Sequence, residues 1–355
     1  MLPGIGPVSA KRLVAHCGSA GEVFRQKKTQ LLKIPHIGPA IASSVKSSDV
    51  LKRAEKELKY AQKNNIRILF YTDQDYPKRL KQCYDSPAVL FFKGNCALEE
   101  KRMLGIVGTR KITPYGIELT EKLVEELADK NVLIVSGLAY GVDVIAHKAA
   151  LKNELNTIGV LAHGLDRVYP PRHADVAQKM IKQGGLLSDF PTGTMPDKEN
   201  FPMRNRIVAG LCDAVVVIES TESGGSMITA EFAMNYNRDV FAFPGRVNDK
   251  TSAGCLKLIR SNKAGLITCA DELLQAMGWS DEKQKSKPSL QKELILPANP
   301  EEEKIVSALR DHGNVYIDEI CSSSGFSMGK VSSLLLTLEF SGIVKSLPGK
   351  FYRLQ

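Results

Sequence analysis

Four short segments of this sequence carry residues suited to holding an anion. Gly108-Thr109-Arg110 sets a small residue, a hydroxyl and a guanidinium in a row. Glycine lets backbone N–H groups approach a phosphate, threonine adds a donor, and arginine offers a planar two-pronged fork. The run from Ser136-Gly137 through Leu138, Ala139, Tyr140 and Gly141 to Asp143, leading on to His147, is expected to enter a helix and present N–H groups in the same direction. Arg204-Asn205-Arg206, after Phe201-Pro202-Met203, supplies two further guanidiniums and an amide. Gly224-Gly225-Ser226 opens another apolar stretch, where a helix dipole would favour negative charge.

Each segment also admits a structural reading. Arg204 and Arg206 stand two apart, so on a helix they cannot share a face. One can bind phosphate while the other pairs with a carboxylate such as Asp213 or Asp189. His147, at helical spacing from Asp143, reads as a core or capping residue. Tyr140 either stacks a base or packs. Gly224, Gly225 and Ser226 could simply allow close helix–strand packing.

The elements that must position these residues are legible as apolar runs. Strands are expected at Ile66–Tyr71, Val89–Phe92, Leu104–Val107, Val132–Val135, Thr157–Leu161, Leu186–Ser188, Ala214–Ile218, Val240–Ala242 and Leu266–Thr268. Helical stretches fall between most of them, such as Thr113–Asp129, with Thr113 as N-cap and Pro114 in the first turn. Near-continuous apolar strands alternating with helices imply an α/β fold, a Rossmann-like, doubly wound, mostly parallel sheet. Ligands of such sheets bind beyond the carboxyl ends of the strands, where the four segments fall.

Two smaller modules flank this domain, which spans about residues 61–277. In residues 1–60, Leu2-Pro3-Gly4-Ile5-Gly6-Pro7 recurs as Ile34-Pro35-His36-Ile37-Gly38-Pro39, with His36 in place of the first glycine. Each copy reads as a tight turn between helices and resembles the helix-hairpin-helix motif, which binds DNA backbone; the same turns could equally serve a small helical packing module, and the first copy starts at Met1 without a leading helix. This module holds 11 Lys/Arg against 4 Asp/Glu, which suggests a polyanionic partner. A polar linker is expected at 278–298. Residues 299–355 then read as helix, short strand, two helices and a hairpin, the order of a winged helix. Its would-be recognition helix carries Lys330 as its basic residue, and the module holds 6 Lys/Arg against 7 Asp/Glu. Base-reading helices carry Arg, Asn or Gln, so this module reads as a protein contact or a structural appendage.

The chain has 355 residues, a formal charge of +9 and 7 cysteines. The cysteines form no CxxC pair, so neither a disulfide framework nor a zinc site is expected. No long apolar run suggests a membrane span, and the first residues lack the features of a signal peptide, so a cytoplasmic location is expected. Neither G-x-x-x-x-G-K-[ST] nor a G-x-G-x-x-G following a strand occurs, and no cofactor is expected.

Together, the four loops resemble the DNA-processing protein A family, DprA/Smf. Val168-Tyr169-Pro170, Asp239-Val240-Phe241-Ala242-Phe243-Pro244-Gly245 and Leu258-Ile259-Arg260 add to the match, as do the two flanking modules. Where relatives commonly carry an asparagine near Leu256, this chain has Gly254-Cys255-Leu256. The resemblance implies a non-enzymatic protein that binds and protects single-stranded DNA, dimerises through the Rossmann-like domain and loads RecA recombinase in natural transformation and recombination. It places DNA-binding residues at Gly108, Thr109, Arg110, Ser136, Gly137, Arg204, Asn205, Arg206, Gly224, Gly225 and Ser226. Arg172, after Tyr169-Pro170, is the position of a further strand contact.

An enzymatic alternative is a nucleotide phosphoribohydrolase of the related lysine-decarboxylase-like group. Gly224-Gly225 and Glu231 match its Pro-Gly-Gly-x-Gly-Thr-x-x-Glu spacing, but Ser223 replaces the proline and Met227-Ile228 the Gly-Thr. Catalysis there would need Glu231 set opposite an arginine across the ribose.

Overall fold

The computed structural model describes residues 1–355 apart from 1, 3, 47, 48, 281–298, 311–313, 348 and 355. Most of the expected linker at 278–298 therefore lies outside the described residues, as do Met1, Pro3, Asp311 and Pro348 of the segments read above. The chain divides into two compact units, Met1–Ser280 and Asp281–Gln355.

The first unit opens with helices α1 (Pro7–Cys17), α2 (Ala20–Arg25), α3 (Lys28–Leu31), α4 (Pro39–Val45) and α5 (Asp49–Lys63). The sequence repeat is a repeat of geometry. Gly6 and Gly38 cap α1 and α4 with nearly the same dihedrals, φ −77° and ψ 173° against φ −87° and ψ 174°, each followed by proline at the first helical position. Two residues before each cap, Gly4 (φ +74°) and His36 (φ +64°) both take a left-handed conformation, so His36 reproduces the glycine's backbone despite its side chain. Leu13, Val23, Leu31, Ile34, Ile37, Ala42 and Val45 form a small core among these helices.

The larger part alternates strands and helices. In order come β1 (Arg67–Phe70), α6 (Lys78–Lys81), β2 (Val89–Gly94), β3 (Arg102–Val107), α7 (Pro114–Glu126), β4 (Val132–Ser136), α8 (Val142–Lys152) and β5 (Thr157–Val160). A 3-10 turn (Pro171–His173), α9 (Ala174–Gln183), β6 (Gly184–Ser188), α10 (Asn200–Leu211), β7 (Ala214–Val217), α11 (Gly225–Asn235), β8 (Asp239–Ala242), α12 (Ala253–Arg260), β9 (Gly265–Leu266) and α13 (Ala270–Ala276) follow. All nine strands expected from the sequence are present. They form one sheet of order β1-β2-β6-β5-β4-β3-β7-β8-β9. The pairs from β6 to β9 are parallel, while β1–β2 and β2–β6 are antiparallel.

Burial explains the apolar runs. Successive residues of a strand face opposite sides, and here both sides are covered. Along β7, Val215 and Val217 join one core with Ile207 and Ala230, while Ala214 and Val216 join the other with Leu123 and Ala146. At the centre, β3 pairs with β4 on one side and β7 on the other, so the winding of the chain reverses there. That switch point opens a crevice beyond the carboxyl ends of β3, β4 and β7.

The second unit contains α14 (Pro300–Arg310), β10 (Val315–Tyr316), α15 (Ile317–Ser324), α16 (Met328–Phe340), β11 (Val344–Leu347) and β12 (Phe351–Leu354). Its sheet order is β10-β12-β11, a helical trio with a small wing. Ile305, Leu309, Ile320, Val331, Leu335 and Leu338 form its core. Outside that core, α16 exposes Met328, Leu336 and Phe340. Among the described residues, no helix is long and apolar enough to cross a membrane.

Candidate functional site

At the switch point lies a cleft of about 230 Å³. Its wall contains Gly108, Thr109 and Arg110 after β3, Gly137 after β4, Arg204 and Asn205 on α10, and Gly224, Gly225 and Ser226 at the start of α11. Nine of the residues singled out in the sequence therefore meet around one space. Ser136, Arg172 and Arg206 do not line it.

The loop after β3 is held by backbone pairing and by a buried carboxylate. Thr109 N–H donates to the Glu219 carbonyl at 2.8 Å, and Val142 N–H donates to the Thr109 carbonyl at 3.2 Å. The Glu219 side chain, 3% exposed, accepts from Thr113 N–H at 3.0 Å and Thr113 Oγ1 at 2.5 Å, which fixes the start of α7. A Cβ on Gly108 would sit 2.3 Å from Val142 Cγ2, so no larger residue fits without displacing the start of α8. Between these anchors Arg110 is exposed in the wall of the cleft. Its guanidinium lies over the Phe201 ring, 4.8 Å from the centroid, a cation–π contact that orients the fork without neutralising it.

The loop after β4 departs from expectation. Its N–H groups were expected to face a ligand, but Gly137 and Ala139 N–H both donate to Asp143 Oδ2, at 3.2 and 3.3 Å. Asp143 is buried, and that burial raises its carboxyl pKa against the opposing pull of Arg204. Ser136 is fully buried and donates from its hydroxyl to the Ile106 carbonyl at 2.6 Å, so its role is to tie β4 to β3. His147 sits in the core as expected, with Nδ1 2.7 Å from Thr157 Oγ1; its pKa is lowered to about 3, by burial first.

The two arginines of α10 point apart, as a spacing of two on a helix requires. Arg204 forms the floor of the cleft, 4% exposed, with Nη1 2.5 Å from the carbonyls of both Gly137 and Val160. A Cβ on Gly137 would fall 2.1 Å from that nitrogen, which explains the glycine. Burial lowers the Arg204 pKa, while nearby Asp143 holds it up. Arg206 turns to the other side. It is 3% exposed, pairs with Asp189 at 2.8 Å and donates to the Asp85 carbonyl. Of the two carboxylates considered for this role, Asp189 is therefore the partner, and Asp213 instead binds Arg79 at 2.6 Å. The placement of Arg206 as a DNA ligand is thus corrected to a buried ion pair. Arg172 is exposed on the 3-10 turn, outside the walls of both the cleft and the neighbouring cavity.

The start of α11 closes the cleft. Gly224 caps the helix without a side-chain bond. Among the described residues, the N–H groups of Gly225 and Ser226 have no acceptor, whereas Met227 N–H already turns back to Gly224. Asn205 Nδ2 donates to the Gly225 carbonyl at 3.3 Å and joins α10 to α11. Ser226 Oγ donates to Ser220 Oγ at 2.8 Å. Gly254 locks its N–H on the Ser220 carbonyl at 2.8 Å and braces this turn.

Sequence reasoning missed Phe201 as a platform, Asp143 as the holder of the β4 loop and Glu219 as the anchor of the β3 loop. Glu219 had a signal, an acidic residue directly after an apolar strand. Glu231, the acid required by the enzymatic alternative, is exposed and lines a different cavity, with Glu222, Met227 and Lys257.

Among the described residues the site is thus a cleft at the switch point of a doubly wound sheet, with the exposed Arg110 guanidinium, the free helix-start amides of Gly225 and Ser226 and an aromatic face. That combination is the crevice of a Rossmann-like fold, with the group types that suit an anion. The chain belongs to the DprA/Smf family. The family described as DNA recombination-mediator protein A matches residues 67–278, and the DprA winged helix domain matches residues 287–350. Protein Smf of Synechocystis is 32% identical, over 99% of this chain and 96% of its own length. DNA processing protein DprA of Bacillus subtilis is 42% identical, over 58% of this chain and 70% of its own. The X-ray structure of DprA from Streptococcus pneumoniae superposes with a TM-score of 0.66 at 34% identity, covering 77% of this chain and 93% of that one. DprA from Helicobacter pylori, whose structure was described for its single-stranded DNA binding mode, superposes with a TM-score of 0.55 at 32% identity, covering 60% and 95%.

Proposed function

We propose that this protein binds single-stranded DNA in the switch-point cleft, by its phosphates and without reading sequence. The observation that carries the reading is the open Arg110 guanidinium, which faces the same space as the free N–H groups of Gly225 and Ser226. A flexible single strand can lay a phosphate into so narrow a cleft while its bases meet the Phe201 face. Gly108, Thr109, Gly137, Asn205 and Gly224 shape the space, and Arg204 adds positive potential from beneath. The binding mode named for the Helicobacter pylori relative supports the choice of strand.

We further propose the family's wider role for this chain: a homodimer through the Rossmann-like domain that loads RecA in recombination and transformation, in the cytoplasm. Residues 1–60, 61–277 and 299–355 act in this reading as three modules. The protein works as a binder and not as a hydrolase. Glu231 lines a different cavity and not the cleft, which weighs against base release from nucleotides. Fluorescence anisotropy with a labelled oligothymidylate, competed by unlabelled single strand or duplex of equal length, tests the reading. Single strand should compete far better than duplex, and equal competition would contradict it.

A further inference from the structure

The basic excess of residues 1–60 has no share in the cleft, whose described walls lie between Val107 and Thr229. Part of it is carried by α5, the helix that leads into β1. There Lys52, Lys56, Lys59 and Lys63 recur at steps of four, three and four residues. At 3.6 residues per turn they fall within about 60° of one another around the axis, in one line about 16 Å long. All four are exposed. The opposite side of α5 is the packed one. Glu57 is buried there, and Ala61 sits with Ile66 and Phe91 in a small core.

The two glutamates of α5 do not neutralise this line. Glu57 is turned inward, where it accepts from Thr192 N–H at 3.0 Å and from Thr192 Oγ1 at 2.6 Å. Glu55 pairs with Lys59 at 2.8 Å. Lys52, Lys56 and Lys63 have no carboxylate partner among the described residues. Like charges at this spacing repel and weaken a helix, and a polyanion laid along them removes that repulsion. The Thr192 anchor also fixes where the line lies. Beside it, Gly193 N–H donates to Asp166 Oδ1 at 3.1 Å. Asp166 belongs to the loop that carries Tyr169 and Pro170 into the wall of the small cavity next to the cleft. The lysine helix is thus hydrogen-bonded to the same rim of loops that holds Arg110.

We propose that the lysine line of α5 is a track for the single strand where it leaves the cleft, holding the phosphates of flanking nucleotides. The inference rests on the reading of the cleft as a single-strand site. Steps of about 4.5–6 Å along the axis let successive phosphates of an extended strand each meet an ammonium. Lysine is a point charge on a flexible stem, suited to holding a backbone without reading its bases. A single line of charge matches one backbone, whereas a duplex presents two, set about 12 Å apart across its major groove.

The test compares, on the full chain, a short oligothymidylate that fills the cleft alone with a long one that reaches α5. The variant combines Lys52→Gln, Lys56→Gln and Lys63→Gln, which keeps good helix formers on an exposed face. Wild type should bind the long strand more tightly than the short one. The variant should bind the short strand as wild type does and lose about tenfold on the long one at moderate salt. Its log–log salt slope on the long strand should be smaller by about 2, three contacts at about 0.7 each. Equal affinity and slope for the two proteins on the long strand would overturn the track, as would an equal loss on both lengths or a loss confined to duplex. Wild type that binds both lengths alike would overturn it without any variant. If Arg110→Ala weakens both lengths while the lysine variant matches wild type, the track falls and the cleft stands. If Arg110→Ala binds both lengths as wild type does, the cleft reading itself falls, and with it the track as its extension.

Discussion

The guanidinium of Arg110 lies 4.8 Å from the centroid of the Phe201 ring, and both residues line the cleft and the neighbouring smaller cavity. Arg110 comes from a strand end and Phe201 from a helix start, so the contact also ties two elements of the site together. Phe201→Leu keeps an apolar surface but removes the aromatic face. It should weaken oligothymidylate binding by about five- to tenfold, the scale of one stacked base, with little change in thermal stability. Unchanged affinity would show that Phe201 is only a brace.

Arg206 offers the opposite expectation. Buried against Asp189, it should act on stability and not on the strand. Burial raises the Asp189 pKa even beside the guanidinium, so stranding that carboxylate is expensive. Arg206→Ala should cost about 3–5 kcal/mol in urea unfolding. The double change Arg206→Met with Asp189→Leu should recover much of that. A stable Arg206→Ala that lost DNA binding would return Arg206 to the ligand set.

Proline at Gly225 isolates the helix-start amides. Gly225 is the first residue of α11, a position proline tolerates, and Gly224 already has the extended dihedrals that precede a proline (φ −67°, ψ 151°). A Cβ at Gly225 meets nothing within 4 Å. Gly225→Pro should therefore fold normally while removing one N–H from the cleft. Affinity for single strand should fall about tenfold, the scale of a hydrogen bond to a charged group. If affinity is unchanged in a folded variant, the strand does not rest on α11.

His147 predicts a pH dependence of stability. Its folded pKa, about 3, is below the ordinary histidine value of 6.5, so the unfolded chain binds the proton more readily. Stability from this group is complete above about pH 6.5 and is lost as pH falls toward about 3. Asp143 and Asp189, whose folded pKa values burial raises above 3.8, act in the opposite sense, stabilising the fold as pH falls through those raised values. Urea unfolding of His147→Gln across pH 6.5 to 4 should show a shallower fall than wild type. An identical slope would mean that His147 does not titrate on unfolding.

The strands were legible because a sheet covered on both faces needs apolar residues at every position, as in Ala214–Val217. Their order was not, since pairing β3 with β4 and β7 is a matter of tertiary packing. The loops of the site were legible by the same logic, lying where strands end. Which polar groups face a ligand was not. The sequence shows Gly137 and Ala139 as potential donors but not that Asp143 takes both amides. It shows two arginines on α10 but not which turns inward, since α10 is packed on several sides and hides both guanidiniums.

The most direct test of the central claim is the salt dependence of oligothymidylate binding by wild type and Arg110→Ala. Binding through phosphates should fall linearly on a log–log plot, and removing one contact should reduce the slope by about 0.7 while lowering affinity about tenfold or more at moderate salt. Equal affinity and equal slope for the two proteins would contradict the assignment of the cleft as the strand's binding site.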